Sequence, residues 1–268
     1  MILVTGAGGF VGHKIMEMCR DTAASPSLRG ASKVRIRRIV EEINPDTIIH
    51  TAAISNVSAC AADPEASYHA NVMIPVFLAE AVRDRNIKMI CFSSDQVYTA
   101  SEGNGPYSED MAKPGNVYAQ QKLEMENRVL DIAPGSVMLR AEWMYDYDPG
   151  RANYFMNILR AQDAVRFSSQ NYRGVTYLRE VTEAMESVIR LPGGVYNFGS
   201  ETTKSMYEIT KYFLEILHRD LPVQDCAPMH NLWMNCEKAR RCGVVFSSVE
   251  DGLKKCFEDL GRGDCPTS

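Results

Sequence analysis

Tyr118 and Lys122 stand four residues apart in Tyr-Ala-Gln-Gln-Lys. On a helix that spacing puts both polar heads on one face. A free tyrosine has a pKa of ~10 and exchanges protons poorly at neutral pH. A nearby ammonium favours the phenolate. Moving the pKa by ~3 units toward neutrality takes about 4 kcal/mol of differential interaction, so a cofactor's positive ring has to help. Upstream, a β-rich run from Ile87 to Phe92 enters Ser93-Ser94-Asp95. The Ser94 hydroxyl, at the carboxyl end of such a strand, can hold a carbonyl oxygen while a tyrosine protonates it. The plain alternative is a half-buried helix tyrosine with a snorkelling lysine beside it.

A second constellation opens the chain. Thr5-Gly6-Ala7-Gly8-Gly9-Phe10-Val11-Gly12 follows a short apolar run, Ile2 to Val4, and leads into a helical pattern. Gly6 permits the tight turn, Gly9 lets the backbone approach a pyrophosphate, and Gly12 allows close helix-to-strand packing. Phe10 and Val11 complete the turn, whose helix end presents free N–H groups to phosphates. An acidic residue ~20 residues on, at the end of a second strand, normally holds the ribose hydroxyls. Residues 22–40 contain no Asp or Glu; they contain Arg29, Lys33, Arg35, Arg37 and Arg38. The stretch from Asp21 to Ser32 has no β-branched run for a normal second strand. Three readings stay open: a basic site favouring the 2′-phosphate of NADPH, an eroded adenosine pocket, or surface charges on a helix.

These residues need a frame. Thr47–Thr51, Ile87–Phe92 and Val137–Arg140 read as strands, and Val34–Ile43, Ala66–Arg83 and Tyr118–Val129 as helices. That alternation predicts an α/β fold, a Rossmann-type doubly wound parallel sheet. After Trp143 the pattern loosens. Asn153–Arg160, Glu180–Arg190, Met206–His218 and Val249–Leu260 look helical, and Val175–Tyr177 and Val195–Phe198 look like short strands. We assign 1–145 to a dinucleotide-binding domain, with 164–197 returning to its sheet. Residues 146–163 and 198–268 form a small C-terminal substrate-binding lobe, with a cleft between the two.

The chain has 268 residues and a net charge of −5, which argues against a nucleic-acid partner. No apolar run approaches the ~20 residues of a membrane span. No signal-peptide pattern precedes the first strand, so the expectation is a cytoplasmic protein. The eight cysteines include no Cys-x-x-Cys pair. Cys226, His230, Cys236 and Cys242 imitate a zinc site but lack its paired spacing, so no metal is expected.

Taken together, the glycine turn, Ser94 and Tyr-x-x-x-Lys resemble the extended short-chain dehydrogenase/reductase family. Within it the chain is most similar to the dTDP-4-dehydrorhamnose reductase branch. Pro45–Ala53, Phe92-Ser-Ser-Asp-Gln-Val-Tyr98, Arg140-Ala-Glu-Trp143-Met-Tyr145 and Gly174-Val-Thr176-Tyr177 resemble segments of that branch. The resemblance implies hydride transfer from NADPH or NADH to a keto group, commonly on a nucleotide-linked deoxysugar. It implies that Tyr118 is the acid, Lys122 its modulator and ribose anchor, and Ser94 the carbonyl donor. Ala52 and Ala53 line the cofactor and Asn71 steadies the site. Asp95, Trp143, Asn153 and Arg173 are the substrate candidates.

Val175 and Glu142 depart from the branch, which usually has proline and a small polar residue there. The related dehydratases carry Asp-Glu where this chain has Asp95-Gln96, so a base for water elimination is lost. The reductase reading leads. An epimerase holding NAD⁺ tightly, a dehydratase, or a non-catalytic dinucleotide-binding regulatory subunit are the alternatives. A homodimer is compatible with the resemblance; Met206, Ile209, Phe213 and Ile216 could serve core or interface.

Overall fold

The computed structural model describes residues 1–261; Cys265 lies outside the described residues. Six parallel strands form the main sheet: β1 (Ile2–Thr5), β2 (Thr22–Ala24), β3 (Thr47–His50), β4 (Lys88–Ser94), β5 (Val137–Ala141) and, last in sequence, Gly194–Phe198. The remaining short strands are β6 (Trp143–Tyr145), β7 (Val165–Arg166), β8 (Val175–Tyr177) and β10 (Val223–Gln224), which makes Gly194–Phe198 β9. The order β2-β1-β3-β4-β5-β9 reverses direction between β1 and β3. Such a switch point opens a crevice at the carboxyl ends of the strands.

Alternation along each strand explains why both faces are covered. Leu3, Ile48, Met89, Cys91 and Met138 enter one core with Ile36, Val40, Leu78, Met125 and Val129 from three helices. Val4, Ile49, Ile90, Phe92, Val137 and Leu139 enter the other with Ile15, Val181, Met185 and Val188. Strands buried on both sides read as nearly continuous apolar runs, as these do.

The second strand exists, contrary to the expectation from Asp21 to Ser32. It is short, lies at the sheet edge and pairs only with β1, through Ile2–Thr22 to Val4–Ala24. An edge strand tolerates Thr-Ala-Ala because a single neighbour holds it. The helix expected over 66–83 is also interrupted. Pro64–Tyr68 passes through a π-turn at His69–Met73 into Ile74–Val82.

Of 164–197, only β9 joins the main sheet; β7 pairs with β10 and β8 with β6. A further core gathers Tyr145, Phe155, Tyr177, Ile209, Phe213, Val249 and Leu253. Met206, Ile209 and Phe213 are buried there, so they serve this core rather than an interface. The C-terminal stretch is divided between cores: Ala239 and Val244 pack against the six-stranded sheet. No described helix is long and apolar enough to cross a membrane.

Candidate active site

A cleft of about 410 Å³ opens at the switch point. Gly9, Phe10, Val11, Ala53, Ser94, Asp95, Tyr118, Lys122, Glu142, Trp143 and Arg173 all line it. Residues far apart in sequence thus meet where open α/β sheets bind ligands.

Ser94 ends β4. Its hydroxyl donates to Asp95 Oδ1 at 3.1 Å and accepts the Gln96 N–H at 3.2 Å. Tyr118 sits in the first turn of the helix Val117–Ile132, where Asn116 caps the end by accepting the Ala119 N–H at 2.9 Å. Pro134 follows the helix and cannot continue it. Tyr118 and Lys122 are both buried. The Lys122 ammonium donates to the Phe92 carbonyl at 2.7 Å and lies 5.9 Å from the centre of the Tyr118 ring.

Burial pushes the Tyr118 phenol above its ordinary pKa, while a bond from Ser94 pulls the other way. Burial lowers Lys122 to about 8, against the nearby Cys91, Glu126 and Cys60. The protein alone therefore keeps Tyr118 protonated, the state needed to give a proton to a carbonyl oxygen. Desolvation outweighs the one opposing contribution, the bond from Ser94.

The glycine turn is shaped as the sequence requires. Gly6 has φ +72°, and a Cβ there would meet the Ala52 backbone at 2.8 Å. A Cβ on Gly12 would fall 2.3 Å from the Gly6 carbonyl oxygen. Both are framework positions, outside the cleft lining. Gly9 caps the helix Phe10–Met18 without a side-chain bond, and no acidic residue occupies its first turn. That leaves N–H donors for an anion, a dinucleotide pyrophosphate included.

The structure places three more of the candidates outside the cleft lining. Asn153 does not line the cleft. Its side chain caps the helix Tyr154–Arg160 through Met156 N and donates to the Asp146 and Arg151 carbonyls. Asn71 lies behind the cleft wall. It exchanges bonds with the Ile54 backbone at 2.9 and 3.0 Å and donates to Gln121 Oε1 at 2.9 Å, which holds the loop after β3. Ala52 likewise packs its backbone against Gly6, while Ala53 faces the cleft.

Arg173 is not a surface residue. Its guanidinium pairs with buried Asp95 at 2.6 Å and lies 4.0 Å over the exposed ring of Trp143. Burial raises Asp95, and Arg173 opposes that rise.

Sequence reasoning missed His50 and Arg151. His50 is buried against the Thr5 hydroxyl at 2.7 Å; burial and the charge of Lys122 hold it near 3, so it is neutral. Arg151 reaches back to the Gly8 carbonyl at 3.0 Å. Its loop is tied to the first helix by Lys14 and Asp146, 3.2 Å apart. Only the basic residue beside Pro149-Gly150 hinted at this, because loop geometry is set by tertiary contacts. Among the described residues no group of three or more His, Cys, Asp or Glu could hold a metal ion.

Comparison with known proteins gives the same frame. The chain is 26% identical over 223 residues to a dTDP-4-dehydrorhamnose reductase of Aggregatibacter actinomycetemcomitans, covering 77% of this chain and 76% of that one. It is 24% identical to methionine adenosyltransferase 2 subunit beta of Xenopus tropicalis, covering 90% and 82%. The crystal structure of a dTDP-4-dehydrorhamnose reductase from Bacillus anthracis in complex with NADP superposes with a TM-score of 0.84, at 19% identity, over 96% of this chain and 97% of that one. The profile of the RmlD substrate binding domain family matches residues 1–244, and the chain belongs to that family.

Proposed function

We propose that this protein is an NAD(P)H-dependent oxidoreductase that reduces a keto group on a nucleotide-linked deoxysugar, as the dTDP-4-dehydrorhamnose reductases do. The observation that carries the reading is the meeting of Ser94, Tyr118 and Lys122 in one cleft beneath the glycine turn. The cofactor, when bound, would supply the hydride, and its ring would gain positive charge as the hydride leaves, which would ease loss of the phenolic proton. Ser94 holds the carbonyl oxygen, and Tyr118 gives that oxygen its proton. Lys122, fixed by Phe92, lies where it can hold the ribose hydroxyls and stabilise the phenolate left behind. Asp95, Trp143 and Arg173 serve the substrate end.

With Ser25 rather than an acid just beyond β2, and with Arg29 and Arg35 close in sequence, NADPH is favoured over NADH. Titration with each nucleotide, read by nicotinamide fluorescence, tests the cofactor. Turnover of a dTDP-4-keto-6-deoxysugar, read by NADPH consumption, tests the reaction. Binding of neither nucleotide up to about millimolar, weaker than about −4 kcal/mol, overturns the reading.

A second reading draws on the likeness to a methionine adenosyltransferase subunit over 90% of the chain. A regulatory subunit binds the dinucleotide and turns over no keto-sugar, so the two assays separate the readings.

A further inference from the structure

Glu142 joins β5 to β6 and lines the cleft with Ser94, Tyr118 and Arg173. It is a buried carboxyl for which two separate segments make room. A Cβ on Gly174 would lie 2.1 Å from Glu142 Oε2, and one on Gly199 would lie 2.4 Å from its Cδ. Both positions must be glycine for this side chain to fit. Oε1 accepts the Thr176 hydroxyl at 2.5 Å and the Ser200 N–H at 2.9 Å. Both of these bonds end on Oε1, and the side chain lines the cleft. A buried carboxyl in a glycine cradle, with both of its bonds on one oxygen and a cleft beside it, is organised for a ligand.

We propose that Glu142 is a specificity-determining residue of this cleft, its Oε2 hydroxyl donating a hydrogen bond to an oxygen on the sugar beside the reacting carbonyl. The assignment rests on the keto-sugar reading above. The ionisable groups facing Glu142 are Asp95, Arg173, Tyr145 and Cys236. Arg173 is committed to Asp95 at 2.6 Å. Burial, with Asp95 adding to it and the Thr176 bond opposing, raises Glu142 to about 8. At neutral pH the carboxyl keeps its proton and acts as a donor. Such a donor suits a hydroxyl, ether or carbonyl oxygen, and a substrate lacking that oxygen leaves it unpaired.

The test is a pH series of kcat and of KM for a dTDP-4-keto-6-deoxysugar at saturating NADPH. Glu142→Ala is expected to raise KM about tenfold with a smaller change in kcat, and Glu142→Gln to recover to within about threefold of wild type. The wild-type kcat/KM falls above pH 8 partly as Glu142 ionises; Glu142→Gln, which keeps a donor without a proton to lose, weakens that fall. Lys122 contributes its own alkaline limb in both proteins, so the difference between the profiles is the readout. The glutamine fits the same cradle and carries the test alone should the alanine variant not fold. Wild-type protein that binds NADPH but turns over no keto-sugar overturns the reductase reading, and with it the ligand assigned here. Turnover with superimposable profiles for wild type and Glu142→Gln overturns the Glu142 assignment alone.

Discussion

The two ends of the proposed cofactor groove are built to different standards. At the reacting end, β4 is seven residues long and central in the sheet, and Tyr118 and Lys122 ride a capped helix of 16 residues. Beneath them Arg140 and Glu126 form a buried ion pair at 2.7 Å. Arg140 also donates to the Tyr98 hydroxyl at 2.8 Å, and Tyr98 donates to Asn197 at 2.6 Å. Ser93 donates to Glu126 as well. At the adenosine end, β2 has three residues and one neighbour, and Pro26, Ser27 and Arg29 are exposed. Proton transfer requires positions held to fractions of an ångström, whereas binding can be assembled from several weak contacts. The first end tolerates little change; the second tolerates a good deal.

Substitutions at the two ends should therefore change different quantities. The largest effect belongs to Tyr118→Phe, which removes the proposed acid and leaves the ring packed. Turnover is expected to fall about 10²–10⁴-fold while NADPH affinity stays within about threefold. Equal loss of binding and turnover would break the comparison.

Lys122→Met separates activity from stability at the same end. Lys122 loses its proton near pH 8 in the folded chain but near 10.5 when unfolded. Its folded-state pKa is depressed, so burial of the charge costs stability in full below pH 8. The cost fades as pH rises toward 10.5. The shift corresponds to about 3 kcal/mol, part of which returns when the Phe92 carbonyl loses its donor in the variant. Lys122→Met is thus expected to lower turnover strongly yet unfold at higher urea at pH 7, with the advantage shrinking by pH 9.5. An advantage that does not change with pH would refute the buried-charge account.

Legibility in sequence followed the same division. Tyr118 and Lys122 at four-residue spacing, Ser94 after a β-rich run and the glycine turn were readable because each depends on local geometry. The parallel sheet was readable because Ile48-Ile49 and Met89-Ile90-Cys91-Phe92 are buried on both faces. The edge strand Thr22–Ala24 was hidden, since pairing with β1 rather than propensity makes it a strand. The π-turn around Asn71 was hidden for a similar reason: Ile54 and Gln121, distant in sequence, hold its amide. Asn153 looked like a ligand residue because a capping asparagine and a binding asparagine read identically in one sequence. The pairing of Arg173 with Asp95 and Trp143 was hidden because these partners approach only in three dimensions.

A smaller effect is expected at the adenosine end from Ser25→Asp. Ser25 is the first residue past β2, and its N–H donates to the Val4 carbonyl at 2.8 Å. A carboxylate there can accept from both ribose hydroxyls and repels a 2′-phosphate. The ratio of NADPH to NADH affinity should fall about tenfold, with kcat for the favoured nucleotide little altered. An unchanged ratio would place the adenosine away from β2.

Arg151→Ala should show the smallest effect. Arg151 is half-exposed, is anchored by one bond to the Gly8 carbonyl at 3.0 Å, and lies 3.5 Å from Asp148. A dinucleotide pyrophosphate at the glycine turn offers the guanidinium a charged acceptor in place of a neutral one. Solvent screens that gain, so NADPH affinity should weaken only about three- to fivefold at low salt. The ratio of wild-type to variant affinity should shrink as salt is added, because the lost term is mostly electrostatic. A loss that persists undiminished at high salt would mean that Arg151 instead holds the loop against the first helix. In that case the Lys14–Asp146 tie, 3.2 Å long and largely buried, should produce the same loss when Lys14 is changed to Met.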